Sequence, residues 1–446
     1  MTHTERPSIS RRGFLSTTAV AFAEPAALAA GPVSRGADGK RERLAIVGTG
    51  GRGTGMWGKP AVEEYGDVCE IVGLCDINSR RVRAAQSLMG TKAPCYTDFE
   101  QMVRETKPDR IIVTTVDATH YRYIIWGLEL GCAIITEKPL CTDERQCRAI
   151  LDAQRKTGGD VTVTFNDRYL PESMLMKQLL MEKAIGNIIS VNFHEYLDTS
   201  HGADYFRRWH HLKENSGTLL VHKASHHFDL TNWWLDSRPL EVSAGGDLRF
   251  YGRNNQFRGT HCRGCAFKPR CQFQWDVTAD PENVKLYVEC ESEDGYLRDA
   301  CVWRESTNIY DTMSVRAKYE NGTLLSYTAD TYLPYEGQAI SLNGTLGRLD
   351  WNTFGGGGFA SKEIRLTRRF ARSEVLRPMV PKREGDHGGS DSSIRDRVFR
   401  NPHASDTLGQ RADLLAGAYS SLLGIAAYRS IERDGRPVKI AELLGA

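Results

Sequence analysis

A glycine-rich turn directly after a short apolar run constrains the fold of this chain more than any other feature. The run Leu44–Val47 is apolar and partly β-branched, as expected of a strand buried inside a parallel sheet. It leads into the sequence Gly48-Thr49-Gly50-Gly51-Arg52-Gly53, which has the spacing G-x-G-x-x-G. A turn of this kind brings the pyrophosphate of a dinucleotide to the N-terminus of the next helix. Alone the motif is weak, because the chain has 42 glycines and chance matches are easy.

A second strand supplies the context that the glycine motif needs. The apolar run Glu70–Cys75 is followed by Asp76, about 20 residues beyond the glycines, where a carboxylate can bind the adenosine ribose hydroxyls. Its negative charge repels a 2′-phosphate and therefore favours NAD as the cofactor. Arg80 and Arg81 lie close enough in sequence to keep NADP as an alternative.

Strands and helices continue to alternate after Asp76. Helical stretches cover 79–89 and 99–105, a strand covers 110–115, and a last helix opens at Thr119-His120. The strand 133–136 ends in Glu137-Lys138-Pro139, where ligands of a parallel sheet collect, although such a tripeptide is more often a solvated turn. This rhythm predicts a doubly wound parallel sheet, a Rossmann domain, over residues 41–165. The predicted dinucleotide contacts are Gly48, Gly50, Gly51, Arg52, Gly53, Asp76, Arg80, Thr115, His120, Glu137 and Lys138.

The pattern of the second half differs from that of the first. Runs of period two occur at 161–165, 188–193, 314–319, 324–328 and 339–342, and 413–432 is typical of a helix. We therefore expect an α+β domain with a large, mostly antiparallel open sheet over residues 166–446. An exposed sheet face also favours a homo-oligomer.

Ionisable and aromatic side chains are concentrated between residues 196 and 234, as a polar sugar pocket with a stacking platform would require. If the segment around His222 is helical, then His222, His226 and Asp229 share one face. The alternative is that two of the histidines only satisfy core or surface hydrogen bonds. Beside a glycine pair, His387 is a further candidate. The predicted substrate contacts are Arg168, Tyr169, Tyr205, Arg207, Trp209, His210, Lys223, Asp229 and His387.

Residues 1–40 have the features of an export signal. A twin-arginine consensus, Ser10-Arg11-Arg12-Gly13-Phe14-Leu15, precedes an Ala-rich stretch and a small-residue cleavage site at Ala27-Leu28-Ala29. The stretch is shorter than the ~20 residues that span a bilayer. We therefore expect export by the Tat machinery to the periplasm or beyond, without a membrane anchor in the mature form. Two arginines before a short apolar run can also arise by chance.

The chain resembles the glucose-fructose oxidoreductase, inositol dehydrogenase and rhizopine-catabolism family, written Gfo/Idh/MocA. The features that carry the resemblance are the export signal, the glycine motif, Asp76, the Glu137-Lys138-Pro139 turn and the motif His227-Phe228-Asp229. The resemblance covers about residues 43–444. It implies that Lys138 lies between the nicotinamide ring and the substrate. An ammonium there can bind a carbinol oxygen and stabilise the alkoxide.

One catalytic position departs from the family pattern. The family carries an Asp four residues before the helix histidine, which the match places at His226, whereas this chain has His222 there. The candidate catalytic residues are therefore Lys138, His226 and His222, and Lys223 ranks below Lys138. Their acid–base roles stay open, because the usual Asp–His arrangement is missing. A metal held by the two histidines is a further alternative.

The resemblance implies an NAD-dependent oxidoreductase acting on a hydroxyl of a sugar, with a small-molecule carbohydrate as partner. An alternative is a glycoside hydrolase that recycles a tightly bound NAD through oxidation, elimination and re-reduction, as some relatives do. Tat transports folded proteins, so export suggests that a cofactor is loaded before translocation, and export to a compartment with no soluble NAD pool favours the recycled cofactor. A sugar-binding protein without catalysis is the third possibility. The net charge of +2 argues against a nucleic-acid-binding protein.

The cysteines of the loop 261–301 have a metal-binding pattern. Cys262, Cys265 and Cys271 form C-x2-C-x5-C, and Cys301 can complete four thiolates. A structural zinc ion is the leading interpretation. Two disulfides, an iron–sulfur centre and free thiols are the alternatives.

Overall fold

The computed structural model of the protein describes residues 40–353, 363–370, 373–376 and 389–445. Residues 1–39 of the predicted export signal and the candidate contact His387 lie outside these ranges. Within them, no helix has both the length and the apolar character that a bilayer span requires.

The strands fall into two groups along the chain, the first separated by helices and the second largely joined by hairpins. In chain order the strands are β1 (Glu42–Val47), β2 (Cys69–Cys75), β3 (Cys95–Tyr96), β4 (Arg110–Val113), β5 (Ala133–Thr136), β6 (Val161–Val163), β7 (Ile188–Asp198), β8 (Pro239–Asp247), β9 (Thr312–Tyr319), β10 (Leu324–Leu333), β11 (Gly337–Gly344), β12 (Gly347–Asn352), β13 (Ile364–Arg368), β14 (Ser373–Leu376), β15 (Ala412–Asp413) and β16 (Val438–Lys439).

Helices connect the strands of the first half and cover one face of the second sheet. The α-helices are α1 (Lys59–Glu63), α2 (Ser79–Met89), α3 (Phe99–Thr106), α4 (His120–Glu129), α5 (Glu144–Thr157), α6 (Pro171–Met181), α7 (His201–Arg207), α8 (Lys213–Ser216), α9 (Leu219–His222), α10 (Ala224–Leu235), α11 (Pro281–Leu286), α12 (Glu291–Asp294), α13 (Ser390–Arg395), α14 (Leu414–Ile431) and α15 (Ile440–Leu444). Shorter 3₁₀ turns occur at Asp117–Thr119, Asn166–Tyr169, Trp209–His211, Gly252–Asn254, Lys268–Arg270, Val277–Ala279 and Val288–Cys290, and π-helical turns at Arg52–Gly58 and Asp396–Arg400.

The first sheet has the strand order β15-β6-β5-β4-β1-β2-β3. Strands β1 to β6 pair in parallel, and β15 adds an antiparallel edge. In β1, Ala45 and Val47 enter one hydrophobic core while Leu44 and Ile46 enter another on the opposite face. Burial on both faces explains why the strand is a continuous apolar run. The predicted doubly wound parallel sheet is confirmed.

The second sheet has the order β14-β13-β12-β11-β7-β10-β9-β8-β16. Only β7 and β10 pair in parallel, and the other neighbours are antiparallel. In β9, every second side chain from Met313 to Tyr319 is buried and those between are exposed. This alternation is typical of a sheet that helices cover on one face only. The predicted large, mostly antiparallel sheet is confirmed.

The end of the chain belongs to both sheets. β15 pairs with β6 of the first sheet, α14 packs on α10 and β8, and β16 pairs with β8 of the second sheet. The predicted second domain, residues 166–446, therefore supplies a strand to the first sheet. A boundary at residue 165 does not separate two independent cores.

The glycine turn depends on close backbone packing. Gly48 has φ +88°, and a Cβ there would lie 2.7 Å from the backbone of Thr114. A Cβ on Gly53 would lie 2.2 Å from the carbonyl oxygen of Gly48. Both glycines let the strand, the turn and the following helix approach one another.

We expect Gly53→Ala to lower the free energy of unfolding by about 1–3 kcal/mol, since the added methyl group overpacks against backbone that cannot move aside. Gly55→Ala is the matched control, because a Cβ at Gly55 meets nothing within 4 Å. Its expected effect is a stabilisation of about 0.5–1 kcal/mol. Urea unfolding of both variants measures the difference, and equal stabilities would contradict the packing argument.

Candidate functional site

The glycine turn and the Glu137-Lys138-Pro139 turn are joined through the carboxylate of Glu137. Its Oε1 accepts hydrogen bonds from Arg52 Nε (2.8 Å) and Trp57 Nε1 (2.9 Å). Arg52 also pairs with Asp391 through Nη1 (3.0 Å). The predicted cofactor contacts Arg52 and Glu137 thus hold each other, and they fix the position of the adjacent Lys138.

The glycine turn fits the dinucleotide that the sequence predicts. The amide of Gly51 donates to the hydroxyl of Tyr287 (2.8 Å). A Cβ on Gly50 or Gly51 would meet that hydroxyl alone, at 3.3 and 3.2 Å. The Gly51 amide therefore points away from the backbone of its own turn, in the direction from which a pyrophosphate approaches such a turn, and here its partner is the Tyr287 hydroxyl.

Asp76 lies at the carboxyl end of β2, beside the glycine turn. Its Oδ2 accepts from the amide of Thr49 (2.8 Å), and its Oδ1 accepts from the amide of Asn78 (3.0 Å) and from Arg81 (3.3 Å). These contacts hold the carboxylate at the place where an adenosine ribose binds in this fold. Arg80, by contrast, points towards Glu293 (3.4 Å).

His120, a predicted cofactor contact, has two backbone partners. Its Nδ1 lies 2.8 Å from the carbonyl oxygen of Pro139, and its Nε2 lies 3.1 Å from that of Thr115. The ring is 1% exposed, and burial lowers its pKa. His120 therefore joins the loops that follow β4 and β5. The hydroxyl of Thr115 accepts from Thr119 (2.8 Å).

Lys138 lies beside a carboxylate–imidazole pair. Its Nζ donates to the carbonyl oxygen of His222 (3.0 Å), and Nδ1 of His222 lies 2.6 Å from Oδ2 of Asp117. Burial lowers the pKa of Lys138 to about 8, against the attraction of Asp117. The resemblance left the acid–base roles open because His222 replaces the aspartate expected before His226; the structure supplies a carboxylate to His222 itself, from Asp117 in the loop after β4.

Burial acts on both members of the Asp117–His222 pair. It raises the pKa of Asp117 and lowers that of His222, whose pKa the nearby Lys138 lowers further. Both shifts favour the neutral pair. In that state the carboxyl group of Asp117 donates to Nδ1, and Nε2 carries the remaining ring proton.

Aromatic rings surround His222. The ring of His210 lies 4.1 Å from it, Tyr205 lies 5.4 Å away and Trp209 5.8 Å, measured between centroids. Trp209 stacks on His210 at 3.7 Å. Burial and the cation of Arg208 lower the pKa of His210. The structure thus gathers the predicted contacts Tyr205, Trp209 and His210 around His222.

Lys223 is engaged on another side of the helix. Its Nζ pairs with Glu195 Oε1 (3.2 Å), and although burial opposes the charge, Glu195 raises the pKa of Lys223. The ammonium is therefore retained at neutral pH. This contact agrees with its lower rank as a catalytic amine.

The helix around His222 is interrupted at Lys223, between α9 and α10. His226 therefore lies near a different carboxylate, with Nδ1 3.6 Å from Asp167 Oδ2. Within the described ranges, no group of three His, Cys, Asp or Glu side chains is arranged to hold a metal. Metal binding by His222 and His226 is not supported.

Three of the predicted substrate contacts form hydrogen bonds with other parts of the protein. Arg168 and Asp229 form a buried pair through two hydrogen bonds of 2.7 and 2.6 Å, with Asp229 0% exposed. Arg207 donates to the carbonyl of Phe273 and lies over the ring of Trp275. These three side chains have protein partners, and their contact with a substrate stays a prediction. Tyr169 packs partly buried against the core beside β1.

The zinc prediction is also not supported. The four cysteines line one apolar cavity of about 20 Å³, together with Phe257, Phe267 and Trp303. All four thiols are free, and they do not form a metal-ligating group among the described residues. The spacing therefore reflects side chains that converge on a small cavity inside the loop. The four cysteines that line this cavity are Cys262, Cys265, Cys271 and Cys301.

Comparison with known proteins follows the same division of the chain. Residues 42–165 match the model of the Gfo/Idh/MocA "oxidoreductase family, NAD-binding Rossmann fold", and residues 177–440 match the family's "C-terminal alpha/beta domain". The chain belongs to the Gfo/Idh/MocA family. It is an NAD-binding oxidoreductase of a family that acts on sugar-like substrates.

The known proteins that this chain resembles align with different shares of its length. The putative oxidoreductase YteT of Bacillus subtilis is 34% identical over 90% of this chain and 98% of its own length. An inositol 2-dehydrogenase/D-chiro-inositol 3-dehydrogenase of Lactiplantibacillus plantarum is 26% identical over 37% of this chain and 44% of its length. Glycosyl hydrolase family 109 protein 1 of Akkermansia muciniphila is 26% identical over 40% of each chain.

A solved structure shows the same fold. The WlbA dehydrogenase from Chromobacterium violaceum, in complex with NADH and UDP-GlcNAcA, has a TM-score of 0.63 and 22% identity, covering 90% of this chain and 96% of the other. The likeness supports the two-sheet architecture of this family member.

Sequence reasoning missed several residues of the site. Asp117 is the most important, and the signal for it was its position four residues after β4, where ligand-binding side chains of a parallel sheet collect. Asp167 and Glu195 were missed as well. Nothing in the sequence indicated that they would face His226 and Lys223, because these contacts join distant segments.

Proposed function

We propose that the protein oxidises a hydroxyl-bearing carbon of a sugar or sugar derivative with NAD, using Lys138 as the proton acceptor. The observation that carries this proposal is the position of the Lys138 amine beside the Asp117–His222 pair, with its pKa lowered to about 8. A general base works best when its pKa lies near the working pH. The nicotinamide ring, when bound, supplies the hydride acceptor.

The chain's own residues then have distinct roles. The neutral amine of Lys138 accepts the hydroxyl proton, and the carbonyl oxygen of His222 accepts a hydrogen bond from the resulting ammonium. His222 donates from Nε2 to the substrate oxygen, since its Nδ1 is occupied by Asp117. Asp117 is thus a positioning residue for His222.

The aromatic rings support a carbohydrate as the substrate. Trp209, His210 and Tyr205 offer flat faces next to His222, and a sugar ring can present its C–H groups to such faces while its hydroxyls meet polar atoms. We take a cyclic polyol or glycoside as the substrate class.

The similarity to a glycosyl hydrolase family 109 protein favours a second candidate function. In this alternative the same base and a retained NAD serve glycoside cleavage. The sugar is oxidised by the NAD before the glycosidic bond breaks and is reduced again by the resulting NADH afterwards, so that no net NADH is formed. Water is consumed, and the free sugar and its leaving group are released. In both reactions Lys138 would accept the hydroxyl proton and His222 would donate to the substrate oxygen.

A product assay separates the candidates. We would incubate the protein with NAD and a panel of inositols, sugars and aryl glycosides, and follow NADH at 340 nm together with free sugar. Dehydrogenation gives NADH and a keto-sugar in equal amounts, whereas the hydrolase gives free sugar without net NADH. Binding of NAD without any turnover would contradict both and favour a sugar-binding protein.

The pH dependence tests Lys138. Because burial lowers its pKa to about 8, the amine is charged below that pH and neutral above it. We therefore expect kcat/KM for oxidation to rise with pH and to level off above about 8. Lys138→Arg should abolish the rise, because a guanidinium stays charged. The exposed Lys156→Arg is the control, and a fall in rate above pH 8 would contradict the base role.

Substitutions of Asp117 test its protonation. Asp117→Ala should lower kcat about a hundredfold or more, because His222 loses its partner. Asp117→Asn should keep activity within about tenfold, since its amide can also donate to Nδ1. Asp167→Ala, beside His226, is the matched control and should have the smaller effect. A loss in Asp117→Asn as large as in Asp117→Ala would show that Asp117 accepts from Nδ1 instead.

We also propose that the protein is exported by the Tat machinery with its cofactor bound. The twin arginines Arg11 and Arg12 before the Ala-rich stretch support this proposal. Replacing both with lysine should retain the full-length chain in the cytoplasm. Cell fractionation with immunoblotting measures it, and unchanged export of the lysine variant would exclude the Tat route.

A further inference from the structure

A long segment between β8 and β9, residues 248–311, leaves the second sheet and returns to the same point. Asp311 closes its base: Oδ1 accepts from the amide of Arg249 (2.8 Å), and Oδ2 accepts from those of Phe250 (2.6 Å) and Tyr251 (3.0 Å). Asp311 is 0% exposed. The segment is therefore an anchored lobe rather than a loose loop.

The distal part of the lobe lies against the first sheet's domain. We call residues 281–294 the clasp; it contains α11, a 3₁₀ turn and α12. Glu293 accepts from the amide of Ser79 (2.6 Å), and Asp294 pairs with Arg81 (2.6 Å). These contacts join the clasp to the start of α2.

Apolar packing reinforces the polar contacts. Leu286 of the clasp is 2% exposed and belongs to the same core as Ile46 and Leu74 of the first sheet. Its carbonyl oxygen accepts from Arg81 Nε (3.0 Å), and that of Cys290 accepts from the buried Asn78 (2.9 Å). Opening the clasp would expose Leu286 and leave these buried donors without partners.

The clasp covers the two positions that the fold uses for one half of a dinucleotide. Arg81, Asn78 and Ser79 follow Asp76, at the ribose position, and Tyr287 lies over the glycine turn with its hydroxyl 2.8 Å from the amide of Gly51. Tyr287 also lies under the guanidinium of Arg81, at 5.8 Å. The nicotinamide half, near Lys138, is not covered by residues 281–294.

We propose that the clasp closes over the adenosine and pyrophosphate half of bound NAD, that Tyr287 contacts the pyrophosphate, and that opening of the clasp limits the release of NAD. This inference rests on the proposed NAD-dependent function and adds the residues that retain the cofactor. A tyrosine hydroxyl can donate its proton to a phosphate oxygen while it accepts from the Gly51 amide.

Retention of the cofactor follows from what opening requires. The clasp is held by Leu286 in the core, by the Arg81–Asp294 pair and by the Ser79–Glu293 contact, and release of NAD must disrupt all three. Release of NAD from a site built in this way is therefore slow.

The experiment measures the exchange of bound NAD in the full-length protein. The protein is loaded with NAD and chased with an excess of deuterium-labelled NAD, and native mass spectrometry follows the exchange. The variant carrying Glu293→Gln and Asp294→Asn should release NAD about tenfold faster or more, because charge-assisted bonds are replaced by weaker ones. Tyr287→Phe should accelerate release about two- to tenfold.

Matched controls separate the clasp from general destabilisation. Glu282→Gln also removes a negative charge from the clasp, but Glu282 is exposed and makes none of these contacts. This variant should leave the rate of NAD release unchanged. ADP-ribose, which lacks the nicotinamide, should be released faster by the same factors. Thermal unfolding verifies that each variant is folded.

The outcomes distinguish the clasp from the proposed function. If the parent chain binds NAD and both variants release it at the parental rate, the clasp is wrong while the proposed function stands. Equal acceleration by Glu282→Gln would also overturn the clasp. A parent chain that binds neither NAD nor ADP-ribose would overturn the proposed function, and the clasp with it.

Discussion

The carboxylate of Glu137 is the interaction on which the rest of the site depends. One oxygen binds both Arg52 and Trp57 from the helix after the glycine turn, and Arg52 extends the contact to Asp391 of α13. Three segments that are far apart in sequence are thereby held at one end of the parallel sheet. Because Lys138 is the next residue, its position relative to the cofactor turn follows from this contact.

The Asp117–His222 pair shows how a missing residue can be supplied by another part of the fold. The resemblance implies an aspartate at the helix position that His222 occupies, whereas here the aspartate comes from the loop after β4. The helix break at Lys223 then separates His222 from His226. As a result each histidine has its own carboxylate, Asp117 or Asp167, and they need not act on one atom.

Local signals were sufficient to predict the fold, but long-range contacts decided the site. The helix α2 has the predicted bounds, 79–89, and the structure shows that Asn78 caps its start and that Gly90 ends it in a left-handed conformation. The Arg168–Asp229 pair and the position of Arg207 could not be predicted. Their side chains are of types that bind substrates, and only the packing of distant segments shows that they are buried with protein partners. The clasp escaped prediction for the same reason, since its sequence has no dinucleotide motif.

The return of the chain end to both sheets has a consequence for the order of events during synthesis. The ribosome completes the first six strands long before it reaches β15, so the edge of β6 stays unpaired until almost the whole chain has emerged. The second sheet likewise waits for β16. Both sheets are therefore completed late in synthesis, and a chain truncated before β15 would expose the bare edge of β6 to aggregation.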